Sequence, residues 1–115
     1  MENDEIFKLR QDIEEQKQFL LKVNELRELE KNALFKKHIL DGFCKDDVAK
    51  NVQLSLNTKL RPETREHCTH LAEAGATFSS WFSEMLRLGE IAEARIREDE
   101  AEINNIYANA NQSEE

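Results

Sequence analysis

Apolar residues in this 115-residue chain recur at alternating steps of three and four, a rhythm that predicts long helices. The first run is Ile6, Leu9, Ile13, Gln16, Leu20 and Val23, a coiled-coil seam with one polar member. Asn3 or Asp4 is placed to cap its free backbone N–H groups, and Glu5 in the first turn suits the positive end of the helix dipole. After Val23 the register would put Arg27 and Glu30 on the seam. A step of three picks up Leu26, Leu29 and Ala33 instead, which reads as a stammer, a local overwinding of the supercoil. The apolar surface then widens to Leu34, Phe35, Ile39 and Leu40, suggesting contact with more than one neighbour. Asp41 with Gly42 is expected to stop this helix, because Gly tolerates the left-handed conformation that follows a C-cap. The first helix is therefore predicted over about 4–41.

Residues 45–60 fit two rhythms. Val48, Val52, Leu56 and Leu60 repeat every four residues, whereas Val52, Leu54, Leu56, Thr58 and Leu60 alternate with polar positions. The helical reading has Asp46 or Asp47 as a cap and suits an all-α chain, so a short helix is predicted over about 46–59. The competing strand would be an unpaired edge, able to add to a sheet on another protein. Pro62 then fits the first turn of a third helix, with Glu63 and Glu66 close behind. Cys68, Leu71, Gly75, Phe78, Phe82, Met85, Gly89, Ala92, Ile96, Asp99, Ile103 and Ile106 hold the three-four alternation through it, to about residue 108. Gly75 and Gly89 occupy that seam where a missing side chain lets a neighbour come close; a kink or hinge is the other reading. Residues 109–115 read as a disordered acidic tail.

The simplest assembly is all-α: an antiparallel hairpin, or coiled coil, of the first and third helices with residues 45–60 elaborating its tip. Such a hairpin is too slender to hide its apolar residues. Phe19, Leu21, Trp81, Leu86, Leu88 and Ile91 fall off the seam and need cover from the middle segment, a second copy or another subunit. Membership of a multi-chain helical bundle is expected on that ground.

Composition agrees with this outline. The chain is 35% charged and 39% hydrophobic with 3 Gly and 1 Pro, a helix-rich balance that excludes an all-β fold. A length of 115 residues suggests one domain. An N-terminal basic and apolar leader and an apolar run of about 18 residues are both missing from the sequence given, so a secretory or membrane-spanning role is not expected. Cys44 and Cys68 then fit a compartment that keeps thiols reduced, cytoplasmic or nuclear, and the sequon at Asn111 is read as a chance match. The net charge of −8 argues against general nucleic-acid binding. It is unevenly spread: residues 31–65 carry 8 basic and 4 acidic side chains, whereas residues 66–115 carry 3 and 11.

Candidate chemistry is sparse. His67, Cys68 and His70 are the nearest approach to a metal constellation, but no second cluster at ligand spacing accompanies them, so no metal site is assigned. A catalytic cysteine would need a base and a cleft, and the three glycines are too scattered for a phosphate loop. Neither catalytic residues nor a cofactor are assigned.

Two interaction surfaces remain. Phe78, Trp81, Phe82, Met85, Leu88 and Ile91, with Phe35 and Ile39, form a candidate partner interface, because large aromatic anchors dominate binding energy. Phe78 and Phe82 lie on the seam, which also allows them a place in the core. Lys36, Lys37, Lys45, Lys50, Lys59 and Arg61 form a candidate basic tip for an acidic protein tail, anionic lipid or nucleic acid. Its bland alternative is a solvated face neutralised by Asp41, Asp46, Asp47 and Glu63. The expectation is a non-enzymatic subunit of a larger helical scaffold whose partners are other helical chains. A small homodimeric adaptor working through the basic tip is the alternative.

Overall fold

A computed structural model describes residues 3–113. Among them the secondary structure is entirely helical: α1 spans Asp4–Lys31, α2 is a single turn at Ala33–Phe35, a π-helical segment covers Lys36–Asp46, α3 spans Asp47–Ser55 and α4 spans Pro62–Ser113. The all-α expectation holds, and the strand reading of residues 45–60 does not. The packing divides into two units, residues 1–25 with 86–115 and residues 26–85. Helices α1 and α4 each contribute to both.

The first unit follows the heptad rhythm closely. Asn3 caps α1 by accepting a 2.7 Å hydrogen bond from the backbone N–H of Glu5 through its side-chain oxygen. Ile6, Ile13 and Ile103 form a buried cluster, with Leu9, Ile96 and Ile106 packed against it. Burying a side chain of this size is worth about 1.5–3 kcal/mol, so the cluster is the main source of cohesion here. Val23 is fully buried, and a Cβ placed on Gly89 would collide with its Cγ1. Gly89 is therefore a close-approach position. Residues rising from 6 to 23 on α1 meet residues falling from 103 to 89 on α4, so the two segments run antiparallel, as a hairpin requires.

The second unit departs from the sequence expectation. The helix beginning at Asp4 ends at Lys31, not near Asp41. Asn32, in an extended conformation, starts a new helix by accepting a 2.9 Å bond from the Phe35 N–H. This reset is why the seam predicted past Leu26 fails: Leu26 is buried, but Leu29 is 42% exposed and Ala33 is also exposed. Asp41 and Gly42 do not stop the chain either. Both lie within the π-helical segment, whose wider winding carries the Asp47 N–H to the Gly42 carbonyl, and no glycine has a positive φ. The helical run ends instead at the end of α3, where the Leu56 and Asn57 N–H groups bond back three residues and Asn57 accepts from the Lys59 N–H at 3.0 Å.

Gly75 explains where the π-helical segment is seated. A Cβ there would come within 2.6 Å of Val48 Cγ2 and 2.8 Å of the Phe43 carbonyl oxygen, so side chain and backbone both press onto α4. Phe35 meets Phe82 farther along α4, so this pairing is antiparallel too. Cys68, Ala72, Phe82 and Met85 line the buried side of α4 in this unit. Helix α4 also runs beyond the expected end, through residues 109–113, so the tail reading fails there; Glu114 and Glu115 lie outside the described residues.

Candidate functional site

Helical spacing brings the aromatics of the second unit together. Phe78, Trp81 and Phe82 lie within one turn of α4, and Phe35 joins them from α2. The Phe35 and Phe82 rings are 5.7 Å apart between centroids, Phe78 and Trp81 5.8 Å, and Phe78 and Phe82 6.2 Å in a stacked arrangement. Phe82 is the buried centre, with Met85 also enclosed, so the structure moves both from the candidate interface into the core. Phe78, Phe35 and Ile39 are half-buried.

Trp81 is the member left in solvent, 44% exposed. Beside it an open depression of about 480 Å³ is lined by Ala76, Thr77, Ser80, Trp81 and Glu84. Between Glu73 and Glu84 the helix carries no charged residue, although its outer face is wet and the chain as a whole is 35% charged. Leu34, Val52, Leu56 and Leu71 add further exposed apolar surface in this unit. Leu88 and Ile91 belong to the first unit, where Leu88 is half-buried and Ile91 is 48% exposed.

The six residues of the basic tip are all exposed, and none forms an ion pair with another described residue. Asp41, Asp46, Asp47 and Glu63 therefore do not neutralise them by contact. Residues 26–85 nevertheless balance 9 basic against 9 acidic side chains, so the second unit has no net charge.

A family search over protein models, a search of curated proteins and a search of solved structures each return no match. The chemistry must be read from the residues themselves.

His67 and His70 are exposed on α4, with His70 Nε2 4.0 Å from a Glu66 oxygen, whereas Cys68 is buried on the seam. Neighbours in sequence thus point to different sides of the helix. Among the described residues no group of three or more His, Cys, Asp or Glu side chains is arranged to hold a metal ion. Cys44 is half-buried and burial pushes its thiol pKa up, which makes it a poorer nucleophile at neutral pH. No described helix is long and apolar enough to cross a membrane.

A charged cluster in the first unit joins α1 to α4. Arg95 grips Asp12 with two hydrogen bonds, from Nε to Oδ2 at 2.8 Å and from Nη2 to Oδ1 at 2.8 Å. Gln16 donates to the same Oδ1 at 3.4 Å. Asp99 lies one turn beyond Arg95 on the same face of α4, and hydrogen bonding from the Asp99 carboxyl, when it carries a proton, holds the Asp12 pKa below its ordinary value, together with Arg95 and Gln16. Burial, and then Asp12 itself, push the Asp99 pKa up to about 6. The sequence signal for this cluster was present: Asp99 is a carboxylate on an otherwise apolar seam. Asp12 gave no such signal, because it lies beside the seam rather than on it.

Proposed function

We propose that the chain is a non-enzymatic protein–protein interaction subunit of a larger helical assembly. The observation that carries this reading is Trp81: a large aromatic ring, half in solvent, rooted on Phe78 and Phe82 and set in a ten-residue stretch without charge. Solvated helix faces are ordinarily charged, and exposed aromatic anchors are the residues that dominate interface energies. Leu34 at 68% and Leu56 at 75% exposure extend the apolar surface of the same unit. Leu21 and Ile91 provide exposed apolar positions in the first unit. Helical subunits are the partner class that supplies matching apolar surface, and a reducing cytoplasmic or nuclear setting suits the two free thiols.

The exposed, unpaired state of Lys36, Lys37, Lys45, Lys50, Lys59 and Arg61 favours a second reading. There the chain is a homodimeric adaptor whose basic residues meet an acidic surface. The two readings respond oppositely to charge. Size-exclusion chromatography with light scattering on the full chain is the test, with Trp81→Asp and Ile91→Asp compared against charge reversal of Lys36, Lys37 and Lys50. Association that is lost in the first pair and survives 0.5 M salt supports the assembly role. Association or ligand capture that vanishes with salt and with lysine reversal supports the adaptor. A chain that stays monomeric at every concentration, with no change between variants, counts against both.

A further inference from the structure

We propose that Asp12, Asp99 and Arg95 make the helix pairing of the first unit proton-operated: a proton shared between the two carboxyl groups joins α1 to α4, and its loss sets facing carboxylates against a single cation already in use. The geometry supports each part of this. Asp99 stands on the apolar seam between Ile96 and Ile103, and its Oδ2 has neither solvent contact nor a hydrogen-bond partner. Arg95 is the cation that acts on Asp99, but its Nε and one Nη are committed to the two oxygens of Asp12. The charged groups that act on Asp99 are Asp12 from α1 and Arg95 and Glu98 from its own helix. An ionised Asp99 therefore meets two carboxylates and one shared guanidinium.

With the proton in place, the Asp99 hydroxyl donates to a carboxylate oxygen of Asp12, and Arg95 neutralises the remaining charge. When the proton leaves for solvent, that hydrogen bond is lost and two like charges face each other across the seam. The two aspartates act in opposite senses. The raised Asp99 pKa adds stability that is fully present below the ordinary carboxylate range and is lost as pH rises through about 6. The lowered Asp12 pKa adds stability that is present above its ordinary value and is lost in stronger acid. Pairing is tightest between those limits, in mild acid, and loosens towards neutral pH. Asn, of nearly the same size as Asp, would hold this position without titrating. The proposal stands independently of the partner reading above.

The test uses the full chain. Thermal midpoints by circular dichroism between pH 4.5 and 8 should rise by several degrees for the native sequence as pH falls from 8 to 5. Asp99→Asn should remove most of that rise and be the more stable protein at pH 8. A carboxyl-carbon NMR titration should place the Asp99 midpoint near 6 and move it down towards the ordinary carboxylate value in Asp12→Asn, where Arg95 is released and an amide can donate. Parallel pH profiles for the native chain and Asp99→Asn would overturn the proposal. So would an Asp99 carboxyl that titrates at the ordinary value in the native chain, a result that can be read even if Asp99→Asn does not fold.

Discussion

The two units are built from the same two long helices, yet they solve packing differently. In the first unit both partners, residues 4–25 and 86–113, are regular α-helix, the seam is aliphatic apart from its acid cluster, and in sequence the stretches 1–25 and 86–115 hold 7 basic against 15 acidic side chains, the whole net charge of −8. In residues 26–85 one partner is broken at Asn32 and wound as a π-helix from Lys36 to Asp46, charge is balanced, and aromatics replace aliphatics. A regular seam needs only periodicity. The irregular unit needs one glycine, Gly75, under a backbone carbonyl and one aromatic, Phe82, as a shared centre. Charge differs as well: the first unit carries the net negative charge, whereas the unit with exposed Trp81 is neutral overall, which suits the apolar association proposed above.

The contrast is broken most directly at Phe82. Replacement by Ala should cost about 3–5 kcal/mol, because it leaves Phe35, Phe78 and Trp81 around a void. Hydrogen exchange should rise first across residues 33–60 while residues 6–23 stay protected. Equal loss in both regions would show that the two units unfold as one.

The two seam glycines differ in what presses on them. Gly75→Ala and Gly89→Ala should each destabilise the protein by about 1–3 kcal/mol in urea unfolding, in spite of the roughly 1 kcal/mol that Ala gains over Gly in a helix interior. Their rescue should differ. Gly89 is crowded by the side chain of Val23, so Val23→Ala should recover much of the overpacking loss in the double variant. Gly75 is crowded by the Phe43 backbone as well as by Val48, so Val48→Ala should recover little. Identical rescue at both sites would remove the distinction drawn between side-chain and backbone approach.

A smaller effect is expected at Asn32. Asn32→Ala removes the side-chain acceptor for the Phe35 N–H and should cost about 1 kcal/mol in thermal or urea unfolding. Trp81→Asp removes the ring contacts with Phe78 and Phe82 and should likewise cost about 1 kcal/mol in unfolding, well below Phe82→Ala, yet change association most.

Legibility followed the same division. Ile6, Ile13, Val23, Gly89 and Ile103 were placed on the seam by spacing alone, and each is buried. At Asn32 the sequence allows two outcomes, since a stammer lets one helix continue through it and an Asn at a break in register can also cap a new helix; the structure takes the second. Gly42 carries a stop signal, since Gly is enriched beyond C-caps, but here it serves a wide turn at negative φ, with the Lys37 carbonyl 3.1 Å from where a Cβ would lie. Of the candidate interface, Trp81 and Ile91 are exposed, whereas Phe82 and Met85 are interior. The Asp12 contact was not legible, since pairing between residues 12 and 95–99 depends on the relative stagger of two helices.

By itself, then, the sequence determined the helical class, the buried stripes along α1 and α4, the glycine close-approach positions and the uneven charge. Each is set by local spacing or composition, which one chain segment carries alone. The tertiary structure decided where α1 ends, which backbone lies over Gly75, which aromatics are enclosed and which carboxylates face each other. Those outcomes depend on the stagger between segments far apart in the chain, and the stagger is fixed by how side chains interlock rather than by any one segment's periodicity.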